Sequence, residues 1–291
     1  MNIRKGIILA GGTGSRLHPL TIATNKQLLP IYDKPVIYYP LTTLMLAGIK
    51  DILFISTTRD IPVLKNLFGD GSRLGMKFSY QVQMQPGGLP EAFILGETFI
   101  GQQPVAMILG DNFFYAHGLC NLLGNAAREQ KNGAHIFTYK VEDPRPYGVI
   151  VTASDGTIID IEEKPKDFKS HAAITGLYYF DGTVSDRAKK LIPSARKELE
   201  IVDLLRSYLS DDELSVSHLG RGTVWFDVGT PRALLDASNY VQVMQDRQGI
   251  SIASPEEVAW RMEFISRDTL SQLACAIPRG KYQYYLQGLT E

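Results

Sequence analysis

The chain has 291 residues, 44% hydrophobic and 21% charged, the balance of an ordinary globular protein built as one large domain or two smaller ones. Its 30 Lys and Arg against 31 Asp and Glu leave a net charge of −1, which excludes a broad electrostatic hold on nucleic acid or anionic membrane, so any anion site must be local. No apolar run approaches the roughly 20 residues that span a bilayer, and the two cysteines, Cys120 and Cys275, form no disulfide framework and point to a cytoplasmic protein.

In chain order, Met1-Asn2-Ile3-Arg4-Lys5 and the apolar residues after it mimic a secretory signal. The run is too short, however, and ends in Gly-Gly-Thr-Gly-Ser-Arg. Residues 7–10 instead predict a buried strand. The turn Gly11-Gly12-Thr13-Gly14-Ser15-Arg16 follows, with Lys26-Gln27-Leu28-Leu29-Pro30 ten residues on. Three glycines let backbone approach a ligand closely, and two cations, Arg16 and Lys26, can flank the loop: a phosphate cradle, or only a tight turn. It is not a P-loop, having no Gly-Lys-Ser/Thr, and Leu17 stands where a dinucleotide fingerprint needs its last glycine.

Strands over 51–57, 78–83, 105–110 and 134–141 alternate with helices over 35–47, 61–68, 90–99 and 119–130, with Pro35 opening the first helix and Gly48 closing it. This βαβα order implies a mostly parallel sheet with helices on both faces, and ligands bound beyond the carboxyl ends of its strands. The glycine loop, Gln83 and Asp111 all lie at such ends. The middle of the chain changes character: a hairpin over 149–152 and 157–161, a strand over 172–180, helices near 184–191 and 202–209, and a strand running from Leu214 towards Trp225. From Pro231 the chain is helical, over 231–248, 255–264 and 267–273. Ser254-Pro255-Glu256-Glu257 makes a capped start, and Leu270, Leu273 and Ile277 make a helix–helix contact.

Asp111 in Leu109-Gly110-Asp111-Asn112 reads as a turn or cap residue, or as a Mg²⁺ ligand beside bound phosphates. Asp227 in Trp225-Phe226-Asp227-Val228-Gly229-Thr230 has the same two readings. Glu162-Glu163-Lys164-Pro165 is a solvated charge cluster, or puts Lys164 on a phosphate and Glu163 on sugar hydroxyls. Strand alternation sends those two side chains to opposite faces unless the strand bends. Tyr147-Gly148 serves equally as a turn, and Arg196 as a solvated arginine. The histidines show no metal spacing. The pairs Tyr38-Tyr39 and Tyr284-Tyr285 read as packing.

Together these residues resemble the sugar-1-phosphate nucleotidylyltransferases over nearly the whole chain. The motifs are 9–17 with Pro19-Leu20-Thr21, 26–30, Ile31-Tyr32-Asp33-Lys34-Pro35, 38–41, 109–112, Tyr147-Gly148, 162–165, Thr175-Gly176-Leu177-Tyr178, Glu198-Leu199-Glu200-Ile201 and Pro255-Glu256-Glu257. The run from Lys26 to Gly48 is similar to the thymidylyl branch in its long form. The resemblance implies a Rossmann-like, mostly parallel mixed sheet flanked by helices, with a small sugar-binding β insertion at about 142–225 in a catalytic domain over 1–240, and a C-terminal helical region over 241–291. It implies Mg²⁺ as cofactor, dTTP and α-D-glucose 1-phosphate as substrates, and dTDP-glucose and pyrophosphate as products. It further implies a homotetramer open to inhibition by dTDP-L-rhamnose.

Residue by residue, the resemblance gives catalysis to Arg16, Lys26, Asp111, Lys164 and Asp227, with Mg²⁺ on Asp111 and Asp227. Leu9, Gly11, Gly12, Thr13, Gly14, Ser15, Arg16, Gln27, Gln83, Pro86, Gly88, Leu89 and Asp111 hold the nucleotide, Gln83 reading the base. Asn112, Tyr147, Gly148, Glu163, Lys164, Ile174, Arg196 and Trp225 hold the sugar phosphate. Tyr115, His117, Arg221, Glu257, Val258 and Arg261 match a regulatory nucleotide site at a subunit interface. The chain departs from the common pattern at Asn25, Met84, Gln85, Gly87, Pro90, Ala116, Lys197 and Ser254, none of which removes a catalytic carboxylate or cation.

Overall fold

The apolar run at the N-terminus forms β1 (Lys5–Leu9), buried on both faces: Ile7 and Leu9 pack into one apolar cluster, and Ile8 with Ala10 into the other. A strand covered on both sides must be apolar at consecutive positions, as this one is. The computed structural model describes residues 1–12, 14–129 and 132–291. After β1 come β2 (Pro30–Ile31), β3 (Lys34–Pro35), β4 (Asp51–Ser56), β5 (Lys77–Val82), β6 (Val105–Leu109), β7 (Asn112–Tyr115) and β8 (Ala134–Lys140). The rest are β9 (Gly148–Thr152), β10 (Ile158–Glu163), β11 (Ala172–Phe180), β12 (Leu214–Leu219) and β13 (Val224–Asp227).

Nine of these form one mixed sheet, ordered β10-β9-β11-β6-β1-β4-β5, with β8 and then β12 leading off β11. The run β6-β1-β4-β5 is parallel. The long β11 is antiparallel to everything it touches, and it forks. One edge pairs with β8, while the other is divided between β6, along Leu177–Phe180, and β9, at Ala173. The cleft described below opens at that fork. Helices Tyr38–Leu46, Ile61–Phe68 and Leu119–Glu129 cover one face, and Glu91–Leu95, Val184–Lys189 and Ile201–Ser210 the other, each burying its apolar stripe in one of the two clusters.

Several elements differ from the sequence-based expectation. The first helix begins at Tyr38, because Pro35 is spent in the β2–β3 ladder, where its missing N–H costs nothing at an edge. The helix expected over 90–99 is two short ones, Glu91–Leu95 and Glu97–Ile100, parted at Gly96. Helix Leu119–Glu129 stops where Gln130, part of the expected span, falls outside the described residues. The strand expected from Leu214 to Trp225 is two strands in different sheets. It breaks at Gly220-Arg221-Gly222, so that β12 extends the main sheet beside β8 and β13 pairs antiparallel with β7. A last helix, Lys281–Gly288, packs Leu286 against Leu270 and Ala274 of helix Arg267–Ala276. It leaves Tyr284 62% exposed rather than packed, because Tyr285 takes the inward position.

The C-terminal helices close over a polar centre. Lys34 is 4% exposed; its Nζ donates to Asp33 Oδ1 at 2.8 Å and Gln245 Oε1 at 3.3 Å, and lies 5.5 Å from the centre of the Tyr282 ring. Burial lowers its pKa, and the nearby carboxylates of Asp33, Glu256 and Glu257 oppose that. Tyr282 donates to Glu256, and Tyr285 donates to Glu257 Oε2 at 2.6 Å. Helix Pro231–Gln248 runs through residue 240, where the expected domain boundary falls.

His135 on β8 is buried between Ser215 Oγ at 2.7 Å from Nδ1 and Ser217 Oγ at 2.9 Å from Nε2, partners that suit a neutral ring. Burial first, and the N-terminal charge second, push its pKa from 6.5 down to about 4. The unfolded chain therefore takes up this proton before the folded one does. The stability is fully present above pH 6.5 and drains as pH falls towards 4, by about 3 kcal/mol at about 1.4 kcal/mol per unit. Urea unfolding of wild type and His135→Gln between pH 7 and 4.5 checks this: the variant is expected to lose stability less steeply, and parallel slopes would refute it.

Candidate active site

The carboxyl ends of β1, β5 and β6 and the fork of β11 enclose a cleft of about 690 Å³. Every described residue expected at the nucleotide or sugar phosphate lines it except Gly14; Thr13 lies outside the described residues. Gly14 shapes the loop instead. At φ 61° it enters the Ser15–Leu17 turn in the left-handed region, where a side chain is strained, and a Cβ there would stand 2.8 Å from the Thr21 methyl.

Lys26 and Gln27 are placed by Asn25, which caps their 3₁₀ turn by accepting from Gln27 N at 2.8 Å. The Asn25 amide also donates to Ala10 O at 3.2 Å, at the end of β1, and to Asp60 Oδ2 at 2.7 Å. The cation turn is thus tied to the strand that carries the glycine loop. Lys26 Nζ bonds Asp111, and the Gln27 Oε1 atom is buried with no partner among the described residues.

Asp111 and Asp227, which the resemblance put on one Mg²⁺, come together because β7 and β13 pair, a strand pairing the sequence reading did not foresee. Asp227 lies opposite Asn112 in the ladder, and Val228 N donates to Asp111 O at 2.9 Å. Burial would raise the Asp111 carboxyl, but Lys26 and the Asn112 amide beside it hold it below the usual carboxylate range. Asp227 is pushed up to about 6 by burial and by the neighbouring charge of Asp111, against the pull of Lys26, Arg16 and Lys164. Arg16 reaches over Gly229 to 4.0 Å from Asp227 Oδ2. Two hard carboxylates, one of them short of positive charge, at the wall of a cation-rich cleft are the donor set that Mg²⁺ takes when phosphate oxygens complete its shell. Among the described residues no group of three or more Asp, Glu, His or Cys is placed to hold a metal ion.

Asn112 is 1% exposed and acts as a bracket. Its Oδ1 accepts from Trp225 Nε1 at 2.6 Å and Gly176 N at 3.1 Å, while its Nδ2 donates to Asp111 Oδ1 at 3.1 Å. On the far wall, β10 ends at Glu163, and Lys164 takes φ 44°. That bend overrides strand alternation. The Lys164 ammonium lies 3.1 Å from Glu163 Oε1, and both residues line the cleft. Arg196 pairs with Glu200 at 2.7 Å and approaches Glu163 at 3.7 Å. The two walls touch at Gly88, whose backbone bridges Leu199. Leu199 N donates to Gly87 O at 2.8 Å, and a Cβ on Gly88 would stand 2.0 Å from Leu199 O.

Leu109, Pro146, Gly176, Tyr178, Glu198, Leu199, Glu200 and Ile201 also line the cleft without having been assigned to it. The segment 198–201 stood out as a motif, but nothing local in it says that it crosses to the glycine at 88. The six residues matched to a regulatory site lie off the cleft. Tyr115 donates to Gln248 at 3.3 Å, and Glu257 accepts from Arg261 at 2.7 Å on the helix that also carries Val258. Arg221 stands in the β12–β13 turn, and His117 follows β7. Among the described residues no hydrogen bond or ion pair joins the Tyr115 group to the Glu257 group.

The chain belongs to the nucleotidyl transferase family, whose pattern matches residues 5–243, and it is an enzyme of that class. Within the family it is 49% identical over 289 residues to the glucose-1-phosphate thymidylyltransferase of Mycolicibacterium smegmatis, covering 99% of each chain. A crystal structure from Bacillus anthracis, ascribed to the glucose-1-phosphate thymidylyltransferases and solved with sucrose, superposes with a TM-score of 0.75 at 40% identity. It covers 81% of this chain and 94% of that one. A UDP-glucose pyrophosphorylase bound to UDP-glucose superposes with a TM-score of 0.73 at 26% identity, covering 83% of this chain and 99% of that one.

Proposed function

We propose that this enzyme transfers a thymidylyl group from dTTP to α-D-glucose 1-phosphate, giving dTDP-glucose and pyrophosphate. The observation that carries this reading is the convergence of Arg16, Lys26, Lys164, Asp111 and Asp227 on one cleft, between a wall with Gln83 and a wall with Glu163 and Arg196. A phosphate oxygen of the sugar phosphate attacks the α-phosphorus, and the bond from that phosphorus to the bridging oxygen of pyrophosphate breaks. No general base is needed, because a phosphate monoester with a second pKa of about 6 is already largely dianionic at neutral pH. The work is positioning and charge stabilisation.

Lys164 and Arg196 hold the attacking phosphate. Arg16 and Lys26 take the triphosphate and the charge building on pyrophosphate. Glu163, Tyr147, Gly148 and Ile174 receive the sugar, and the buried Gln27 Oε1 offers an acceptor to a substrate donor. Asp111 and Asp227 would hold Mg²⁺, which when bound supplies charge neutralisation at the reacting phosphates. A cytoplasmic homotetramer inhibited by dTDP-L-rhamnose through Tyr115, His117, Arg221, Glu257, Val258 and Arg261 belongs to the same reading.

Pyrophosphate release across a panel of nucleoside triphosphates and hexose 1-phosphates tests it. The dTTP–glucose 1-phosphate pair is expected to give the highest kcat/KM, with turnover abolished by a chelator and restored by excess Mg²⁺. Faster turnover with UTP or another sugar phosphate would overturn the assignment of substrates.

A further inference from the structure

Gln83, the residue that faces the base in the reading above, does not hang free. Its Nε2 donates to Glu91 Oε2 at 2.6 Å, and the same carboxylate oxygen accepts from Gly87 N at 2.9 Å. Gln83 is 6% exposed, and its backbone N–H is fixed to Ser56 O at 2.8 Å. Its Oε1 lies over the glycine loop, 2.4 Å from where a Cβ on Gly11 would stand, and it accepts no hydrogen bond among the described residues.

A carboxamide can present either end, and the two ends read opposite base edges. Glu91 decides between them, because an ionised carboxylate only accepts. The amide nitrogen must face Glu91, so the oxygen and the second N–H are what remain for a ligand. An acceptor beside a donor matches a pyrimidine with a ring N3–H and a 4-oxo group. It mismatches cytosine, which offers a ring acceptor and a 4-amino donor.

We propose that Glu91 is a specificity-determining positioning residue: it locks the Gln83 carboxamide in the orientation that accepts thymine or uracil and refuses cytosine. The proposal rests on Gln83 being the base reader. It concerns only the base edge, so it separates dTTP from dCTP and leaves dTTP against dUTP untouched.

The test is the ratio of kcat/KM for dTTP to that for dCTP in wild type, Gln83→Leu, Glu91→Leu and Glu91→Gln. Gln83→Leu is expected to collapse the ratio by about tenfold or more, the scale on which a mispaired polar contact discriminates. Glu91→Leu frees the amide to turn and is expected to lower the ratio comparably, mainly by improving dCTP relative to dTTP. In Glu91→Gln the Gly87 N–H holds the new amide oxygen, rather than its NH₂, towards Gln83, so the ratio is expected to stay near that of wild type. If Gln83→Leu collapses the ratio while Glu91→Leu lowers both nucleotides by the same factor, the lock is refuted and the base reader stands. If Gln83→Leu leaves the ratio unchanged, the base reader falls and the lock falls with it.

Discussion

Asp227→Asn is expected to make the protein more stable and far less active. With its pKa raised from 3.8 to about 6, the Asp227 carboxyl is easier to protonate folded than unfolded. Holding it ionised therefore costs stability, and the cost accrues as pH rises through that window. At pH 7 it reaches about 3 kcal/mol, at about 1.4 kcal/mol per unit. Asparagine removes the charge with little change of shape. Denaturant unfolding at pH 7 in chelator is expected to give a higher midpoint for the variant than for wild type, with the difference vanishing near pH 4. The same variant is expected to lose about 100-fold or more in kcat, the worth of a few kcal/mol at the transition state. A variant that is no more stable, or that turns over normally, refutes the role assigned to this carboxylate.

Lys26→Met is expected to lose both properties together. Lys26 is the charge against which buried Asp111 is balanced. Removing one partner of a buried pair leaves the other uncompensated, at a cost of about 3–5 kcal/mol. In the proposed reaction the triphosphate loses a cation as well, so kcat/KM is expected to fall by about 100-fold or more, with most of the stability recovered in the double variant Lys26→Met, Asp111→Asn. A double variant as unstable as the single one would show that the pair is not what couples the two residues. Opposite signs at Asp227 and Lys26 separate a charge that strains the fold from one that supports it.

Much of this was legible in the sequence for identifiable reasons. Apolar runs and glycine stops mark β1, β4, β5, β6 and the helices between them, and strand ends place Gln83 and Asp111 on the ligand side. What was not legible depends on pairing between distant segments. Nothing near Val224 says that its strand leaves the main sheet for β7, yet that switch carries Asp227 to Asp111. Lys164 stood on the wrong face by alternation until its positive φ was known. Tyr284 and Tyr285 look alike in sequence, and only the helix over 281–288 sorts one to solvent and the other to Glu257. Gly88 and the motif around Leu199 both stood out in the sequence, but nothing local to either says that they bridge.

The buried Lys34 joins the C-terminal helices to the turn that carries Lys26. The pattern shared across the family ends at residue 243, and Gln245, Glu256 and Tyr282 lie past that point. Lys34 therefore lies within the matched span, while much of its surroundings lies beyond it, in helices that the match to the Mycolicibacterium smegmatis enzyme also covers. Lys34 sits in the β2–β3 ladder, and three residues on, Ile37 N donates to Gln27 O at 2.8 Å, beside Lys26. The contacts that run from the C-terminal helices through Lys34 to the Lys26 turn thus avoid the residues that line the cleft until they reach Gln27. Gln245 and Tyr282, neither of them a lining residue, are in this way part of what holds the Lys26 turn in place.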